Sequence, residues 1–176
     1  MQLTPAMRDF ILHWGEMGAR WGVNRSVAQI HALLHLAERP LPAEEIAETL
    51  NMARSNVSTG LRELQSWRLV QVSRQLGDRR DHFTSVEDML DLVRRVVEGR
   101  RAREYAPTVE AVRETLAAAE ADGTPARVVA RIRGTLEVME MFDRWYSEMA
   151  RLPQGTQLTL LRMGARIARL LPKAAE

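Results

Sequence analysis

Residues 42 to 67 read PAEEIAETLNMARSNVSTGLRELQSW. The part before Asn51 has apolar residues at helical spacing and two acids in its first turn, where the helix dipole favours negative charge. Asn51 interrupts this pattern, and asparagine tolerates the left-handed conformation that a tight turn needs. A second helical pattern then covers residues 54–67. The stretch therefore predicts a helix, a short turn and a second helix.

The second helix has an apolar and a polar face. Val57, Leu61 and Leu64 form the predicted buried side. A glycine inside a helix, such as Gly60, lowers helix stability by about 1 kcal/mol relative to alanine. We therefore predict that the first helix of the pair packs closely against Gly60. The opposite side carries arginine, asparagine and small hydroxyl residues, which can pair with base edges or phosphates in a DNA major groove. The predicted DNA contacts on this helix are Arg54, Ser55, Asn56, Ser58, Thr59, Arg62 and Ser66. The alternative is an ordinary exposed helix face.

A β-hairpin with a cationic end is predicted next. Residues 69–74 alternate between apolar and polar, and residues 82–86 have a strand-like composition. The sequence Gly77-Asp78-Arg79-Arg80 lies between them. Because two arginines at a hairpin tip can contact phosphates or enter a groove, Arg79 and Arg80 join the predicted DNA-binding residues.

Helices are predicted on both sides of this region. Pro107 leaves two alternatives open, a helix that continues past it and one that restarts after it. The predicted fold class is mainly α with a small β-hairpin wing, divided into an N-terminal arm helix (1–24), a winged helix-turn-helix (25–86) and a C-terminal helical dimerisation region (87–176). The predicted helix starts are Thr4-Pro5, Ser26, a capping box of Ser85 and Asp88, Thr124-Pro125, and Gln157 for a last helix that runs to Leu171.

The composition narrows the class of function. The chain has no cysteine, which excludes thiol catalysis and cysteine-ligated zinc. It also lacks a glycine-rich phosphate loop and a nucleophile elbow, so we predict no enzymatic activity and no cofactor. The net charge of +2 says little, but residues 54–80 hold six arginines against two acids, which favours a polyanionic partner. Without an apolar signal core or membrane span, a soluble cytoplasmic protein is expected.

Residues 41–86 resemble the multiple-antibiotic-resistance-regulator (MarR) superfamily, and specifically its glycine-betaine-synthesis-repressor-like (GbsR-like) branch. The resemblance rests on Ile46-Ala47, Asn51-Met52, the phrase from Arg54 to Ser58, Arg62-Glu63-Leu64, and the wing phrase from Gly77 to Asp81. It implies a homodimer joined by terminal helices that binds double-stranded DNA at a pseudo-palindromic operator, as a repressor, and that a small-molecule effector releases. Ala53 departs from the pattern, because a hydroxyl residue commonly caps the recognition helix.

The sequence also allows other interpretations. Trp14, Met17 and Trp21 share a helix face and could form an aromatic site for a quaternary ammonium effector, although packing explains them better. His31, His35 and Glu38 could face one metal ion, but a helix-face histidine pair is usually structural, and no metal is predicted. The alternative function is a helical adaptor whose winged domain binds protein instead of DNA.

Overall fold

The computed structural model describes residues 1–164, so the end of the predicted last helix, from residue 165 onward, lies outside the described residues. The predicted fold class is confirmed: helices dominate, with one small antiparallel sheet. The elements in chain order are α1 (Pro5–Arg20), α2 (Arg25–Leu36), β1 (Leu41–Pro42), α3 (Ala43–Leu50), α4 (Arg54–Ser66), β2 (Val70–Arg74), β3 (Asp81–Ser85), α5 (Met89–Arg100), a π-helical segment (Arg101–Tyr105), α6 (Ala106–Ala121), α7 (Ala126–Arg151) and α8 (Gln154–Met163). Within residues 1–164, no helix combines the length and apolarity that crossing a bilayer requires.

The sheet has one strand more than the predicted hairpin. Its order is β1-β3-β2, with β3 in the centre and both neighbours antiparallel to it. Leu41 is opposite Phe83 and Pro42 is opposite His82. A two-residue strand has no period to detect, and its proline is tolerated because β1 lies at the sheet edge. The extra strand ties the chain entering α3 to the strand that returns from the hairpin tip.

The described residues form two compact units, one of residues 1–103 and one that begins at residue 104. The core of the first unit is centred on side chains with almost no exposure, contributed by α2, β1, α3 and α4: Ile30, Leu33, Leu41, Ile46 and Val57. Burial of these apolar side chains is the main force that holds the helix pair against α2 and the sheet.

In the second unit, α6 packs against α7. Val109, Ala119, Val129 and Leu136 are its buried apolar residues, and the hydroxyl of Tyr105 donates to the carbonyl of Met139 at 2.9 Å. α7 leaves another apolar set exposed, namely Val138, Met141, Phe142 and Trp145. Of the two alternatives at Pro107, the structure shows the first: the helical run continues past this proline, because α5, the π-helical segment and α6 follow one another without a break from Met89 to Ala121.

Several helix starts differ from the prediction. Thr4 does cap α1, accepting from the amide of Met7. Asn24, however, caps α2 by accepting from the amide of Ser26 at 2.9 Å, so Ser26 lies inside the helix. Thr124 is not a cap either, because its hydroxyl donates to Asp122 and Pro125 occupies the cap position. The last helix begins at Gln154, three residues earlier than predicted.

The predicted capping box at Ser85 is also wrong. Asp88 is the N-cap of α5 and accepts from the amides of Leu90 and Asp91. Ser85 ends β3, where the demands of the sheet outweigh its capping preference. The apolar stripe predicted through α5 is only partly buried: Leu92 is in the core, whereas Met89 and Val93 are exposed.

Candidate nucleic-acid interface

The turn between α3 and α4 has the predicted left-handed residue. Asn51 has φ 51° and ψ 48°, and the amide of Met52 donates to the carbonyl of Ala47 at 2.9 Å. This closes α3 within one residue and starts α4 three residues later. The turn thereby fixes the direction of α4, whose apolar side (Val57, Leu61, Leu64) is buried as predicted.

Gly60 makes a close approach possible, but to a different helix from the one predicted. A Cβ atom at Gly60 would lie 2.7 Å from Cδ1 of Ile30 and 3.6 Å from Cγ2 of Val27. Both residues belong to α2, so the prediction that α3 is the neighbour is wrong. The contact holds the middle of α4 against the core and turns its polar side outward.

Every side chain predicted to contact DNA from α4 is exposed: Arg54, Ser55, Asn56, Ser58, Thr59, Arg62 and Ser66. Ala53 occupies the N-cap position and provides no side-chain hydrogen bond. The amides of the first turn therefore have no capping side chain. Together with the helix dipole, these N–H groups can bind an anion such as a phosphate by donating hydrogen bonds to it.

The two arginines of α4 are held differently. Arg54 forms an ion pair with Glu44 on α3. Arg62 lies along its own helix, where its Nη2 donates to the hydroxyl of Thr59 at 3.3 Å and its Nε donates to the carbonyl of Ser58 at 3.4 Å. Since both acceptors are uncharged and both contacts are long, Arg62 can exchange them for a base edge at little cost.

Ser66 stands apart from the other α4 residues. At 1.5 Å rise per residue, its Cα lies roughly 18 Å along the axis from that of Arg54. Its hydroxyl donates to the carbonyl of Glu63 at 2.8 Å, and its carbonyl accepts from Nη2 of Arg103 at 3.1 Å. The guanidinium of Arg103 also lies 4.3 Å from the ring centroid of Trp67. Ser66 thus lies where the C-terminal end of α4 is anchored, at the opposite end from Ser55 and Asn56.

The wing is the hairpin of β2 and β3, with the six-residue loop 75–80 between the paired residues Arg74 and Asp81. Gly77 has φ +85°, a conformation that side chains other than glycine rarely adopt. Asp78 binds the guanidinium of Arg80 and accepts from the Arg80 amide at 3.0 Å. The hydrogen bonds from Arg80 hold the pKa of the Asp78 carboxyl well below its usual range, so the pair is charged at neutral pH.

The two tip arginines consequently have different roles. Arg80 is engaged by Asp78. Arg79 is exposed, and within residues 1–164 it has no ion-pair or hydrogen-bond partner. Arg79 is thus the tip arginine without a partner among the described residues, whereas Arg80 is held by Asp78; contact with DNA stays a prediction for both.

The histidine pair on α2 belongs to a ring stack. Trp14 lies between Phe10 and His31, with centroid separations of 5.5 and 6.0 Å, and His31 stacks on His35 at 6.2 Å. Nε2 of His31 lies 3.1 Å from the hydroxyl of Ser85 at the end of β3. Burial, reinforced by the charge of His35, lowers the pKa of His31 to about 4. Within the described part of the chain, no three metal-ligating side chains gather.

The aromatic residues of α1 do not point to one enclosed site. Trp14 is half-buried in the ring stack, whereas Trp21 follows the last residue of α1 and is 64% exposed. Seven residues separate the two, or roughly 10 Å along a helix axis. An effector site at Trp14, Met17 and Trp21 stays a prediction.

Two residues of the wing were missed by the sequence reasoning. From the sequence, Asp78 is a turn residue and one of the two acids within residues 54–80, although an acid two positions before an arginine can also bind it across a tight loop. Leu76 drew no attention, yet its side chain is fully exposed. The signal in the sequence is a leucine next to a Gly-Asp turn, because a turn at a hairpin tip exposes its neighbouring side chains.

These features can be compared with known proteins. The MarR family model matches residues 19–81, from the end of α1 to the start of β3. This segment is similar to the MarR family. It covers 63 of the 176 residues and includes the turn at Asn51, the whole of α4 and the wing tip. The GbsR-like branch is not distinguished by this match.

Solved structures were compared with the whole chain as well. A crystal structure described as a transcriptional regulator has 19% sequence identity and a TM-score of 0.64, over 82% of this chain and 95% of that one. A MepR mutant from Staphylococcus aureus, bound to an oligodeoxyribonucleotide, has 12% identity over 94% and 91% of the chains, with a TM-score of 0.39. A transcriptional regulator from Thermotoga maritima has 16% identity over 81% and 92%, with a TM-score of 0.39. Only the first of these supports the fold. No curated protein matches the chain significantly.

Proposed function

We propose that this protein is a DNA-binding transcription regulator that places α4 in the major groove and the wing tip on the adjacent backbone or minor groove. The MarR-family match supports a regulator of this kind and agrees with the absence of enzymatic activity expected from the sequence. Because such a protein acts on DNA, we propose that it works in the cytoplasm.

The observation that carries the proposal is the pairing of two surfaces on one rigid core. α4 presents small polar side chains and the weakly held Arg62, while the wing presents Arg79 without a partner among the described residues. Side chains on α4 can read base edges, and a cation on the wing can neutralise a phosphate. Specificity and affinity thus come from different elements.

We infer that the functional form is a homodimer, with the dimerisation region within residues 87–176. Val138, Met141, Phe142 and Trp145 follow helical spacing of three, four and seven residues on α7, and all are about half exposed or more. Exposed apolar patches of this kind usually mark an interface, and a second copy would cover them. Two copies of α4 would then meet half-sites about 34 Å apart on a pseudo-palindromic operator.

The regulatory direction and the effector are further parts of the proposal. Repression follows from the resemblance of residues 41–86 to a repressor branch. An effector with a quaternary ammonium group would bind near Trp14, Met17 and Trp21. The ring of Trp21 is exposed, and its face can bind a cation. Quenching of tryptophan fluorescence by choline-like compounds, abolished in Trp21→Ala, is the expected result. No response in the wild type would remove the effector from the proposal.

The central test is selection of DNA by the purified chain. A pool of duplexes with a randomised 30-base-pair segment is bound, separated and sequenced over several rounds, while sedimentation measures the oligomeric state. We expect enrichment of an inverted repeat and a dimer in solution. If no sequence is enriched and binding is equally weak to all duplexes, the proposal is wrong, and the alternative of an adaptor that binds protein through α4 and the wing takes its place.

A further inference from the structure

The wing tip carries an apolar side chain that touches nothing in the described chain. Leu76 has 108% of the reference exposure for leucine. The next most exposed large apolar side chain within residues 1–164 is Leu161, at 70%. Since water disfavours contact with an isobutyl group, a leucine held in this position gains free energy only when something covers it.

The loop geometry keeps Leu76 at the end of the wing. The amide of Asp78 donates to the carbonyl of Gln75 at 3.1 Å, which closes a turn around Leu76 and Gly77. The positive φ of Gly77 makes the tight reversal possible, and a Cβ atom built at Gly77 would have no atom within 4 Å. The Asp78–Arg80 ion pair then stiffens the other side of the loop. The turn and the ion pair thus hold Leu76 at the end of the wing.

The surroundings of Leu76 favour a polyanion as the partner. Arg79, three residues on, is an exposed cation without a partner among the described residues. Arg74 at the base of the loop pairs with Asp81 at 3.2 Å but is still 83% exposed. A site for an apolar protein surface would be depleted of unpaired charge at its centre. A nucleic acid offers both phosphates for the arginines and apolar base faces for the leucine.

We propose that Leu76 is a wedge that enters the minor groove next to Arg79 and partly unstacks one base step. This rests on the proposed function, because α4 must occupy the major groove for the wing to reach the adjacent groove. A leucine has no donor or acceptor with which to read base edges, but apolar wedges between base steps bend DNA toward the major groove. Base steps that deform easily, such as TA or CA, require the least free energy for this distortion. Leu76 therefore favours DNA sequences that have such a step at the position where the wing enters the groove.

The test uses a duplex enriched by the wild-type chain, labelled at both ends so that energy transfer reports bending. Leu76→Ala should weaken binding about tenfold, as expected for losing most of a buried leucine contact, and should reduce the bend. The slope of affinity against salt should not change, because no phosphate contact is lost. Leu76→Met keeps the apolar volume and should stay within about twofold of the wild type.

Val72→Ala is the matched control, because Val72 is a partly exposed apolar residue on the same hairpin but lies within β2. Equal affinity and equal bending in Leu76→Ala and wild type would overturn the wedge, as would a Leu76→Met variant that is as weak as Leu76→Ala. Because Leu76 is fully exposed among residues 1–164, its variants should melt at the wild-type temperature. If the wild-type chain enriches no duplex at all, the proposed function itself fails, which is a different result from a neutral Leu76.

Discussion

Asp78 binds the guanidinium of Arg80 with both carboxylate oxygens, at N–O distances of 2.6 to 3.0 Å. Asp78→Asn keeps the hydrogen bond to the main chain but removes the charge that holds Arg80. We expect the preference for specific over random DNA to fall about fivefold, near the upper effect of an exposed ion pair. Competition binding with the two DNAs measures this. Glu120→Gln, which removes the acid that pairs with Arg133 in the second unit, is the control, and an unchanged preference in Asp78→Asn would contradict the bracing role.

Arg79 should contribute affinity without sequence preference. Losing one phosphate contact reduces the slope of log affinity against log salt by about 0.9, so Arg79→Ala should show this reduction on specific and random duplexes alike. Gel shifts at several salt concentrations provide the measurement. Arg133→Ala removes a charge that pairs with Glu120 in the second unit and should leave the slope unchanged. An equal slope for Arg79→Ala and wild type would remove Arg79 from the interface.

Arg62 should read a base. Arg62→Ala should relax the preference at one base pair of each half-site by about 1–3 kcal/mol, the value of a bidentate contact to a base edge. Arg62→Lys keeps the charge but loses the planar fork, and it should relax the same position. Sequencing of duplexes selected by each variant decides this. An unchanged preference in both variants would mean that Arg62 contacts no base.

Gly60 sets the distance between α4 and α2. Gly60→Ala places a methyl group against Cδ1 of Ile30, and overpacking of a core costs about 1–3 kcal/mol, partly offset by about 1 kcal/mol of helix propensity. We expect a net loss of stability in urea unfolding. Ile30→Val removes the conflicting Cδ1 atom, so the double variant should lose less than the sum of the two single losses. Strict additivity would show that this contact is not the cause.

His31 should make stability depend on pH. Its pKa is lowered to about 4 in the folded chain, so between about pH 6.5 and pH 4 the unfolded chain binds a proton that the folded chain does not. The contribution of neutral His31 is complete above about pH 6.5 and decreases as the pH falls, by up to about 3 kcal/mol at pH 4. In urea unfolding, His31→Gln should flatten this dependence and the exposed His13→Gln should not. Parallel pH curves for His31→Gln and wild type would contradict the assignment.

The features that sequence reasoning predicted correctly are those with a local cause. The turn at Asn51, the Thr4 cap and the buried side of α4 follow from backbone preference and helical spacing, which neighbouring residues decide. Ser85 shows the limit: its capping preference is real, but pairing with Val70 in the sheet outweighs it. The partner of Gly60 was missed because a glycine indicates a close approach without naming the helix that approaches.

The candidate site divides in the same way. The exposure of the α4 side chains and the cationic wing tip could be read from residue types and their order. The difference between Arg79 and Arg80 could not, because it depends on the three-dimensional position of Asp78. Likewise, the ring stack of Phe10, Trp14 and His31 joins two helices, and no spacing within one helix predicts it.

The small strand β1 has a consequence for how a half-site can vary. Since Leu41 and Phe83 pair across the sheet, the segment leading into the helix pair and the returning strand of the wing share one hydrogen-bonded frame. This frame fixes the distance between α4 in one groove and the hairpin tip beside it. We expect that one base pair inserted between the two contacted segments of a half-site will weaken binding strongly. An insertion at the centre of the operator changes only the spacing between the two copies of the protein.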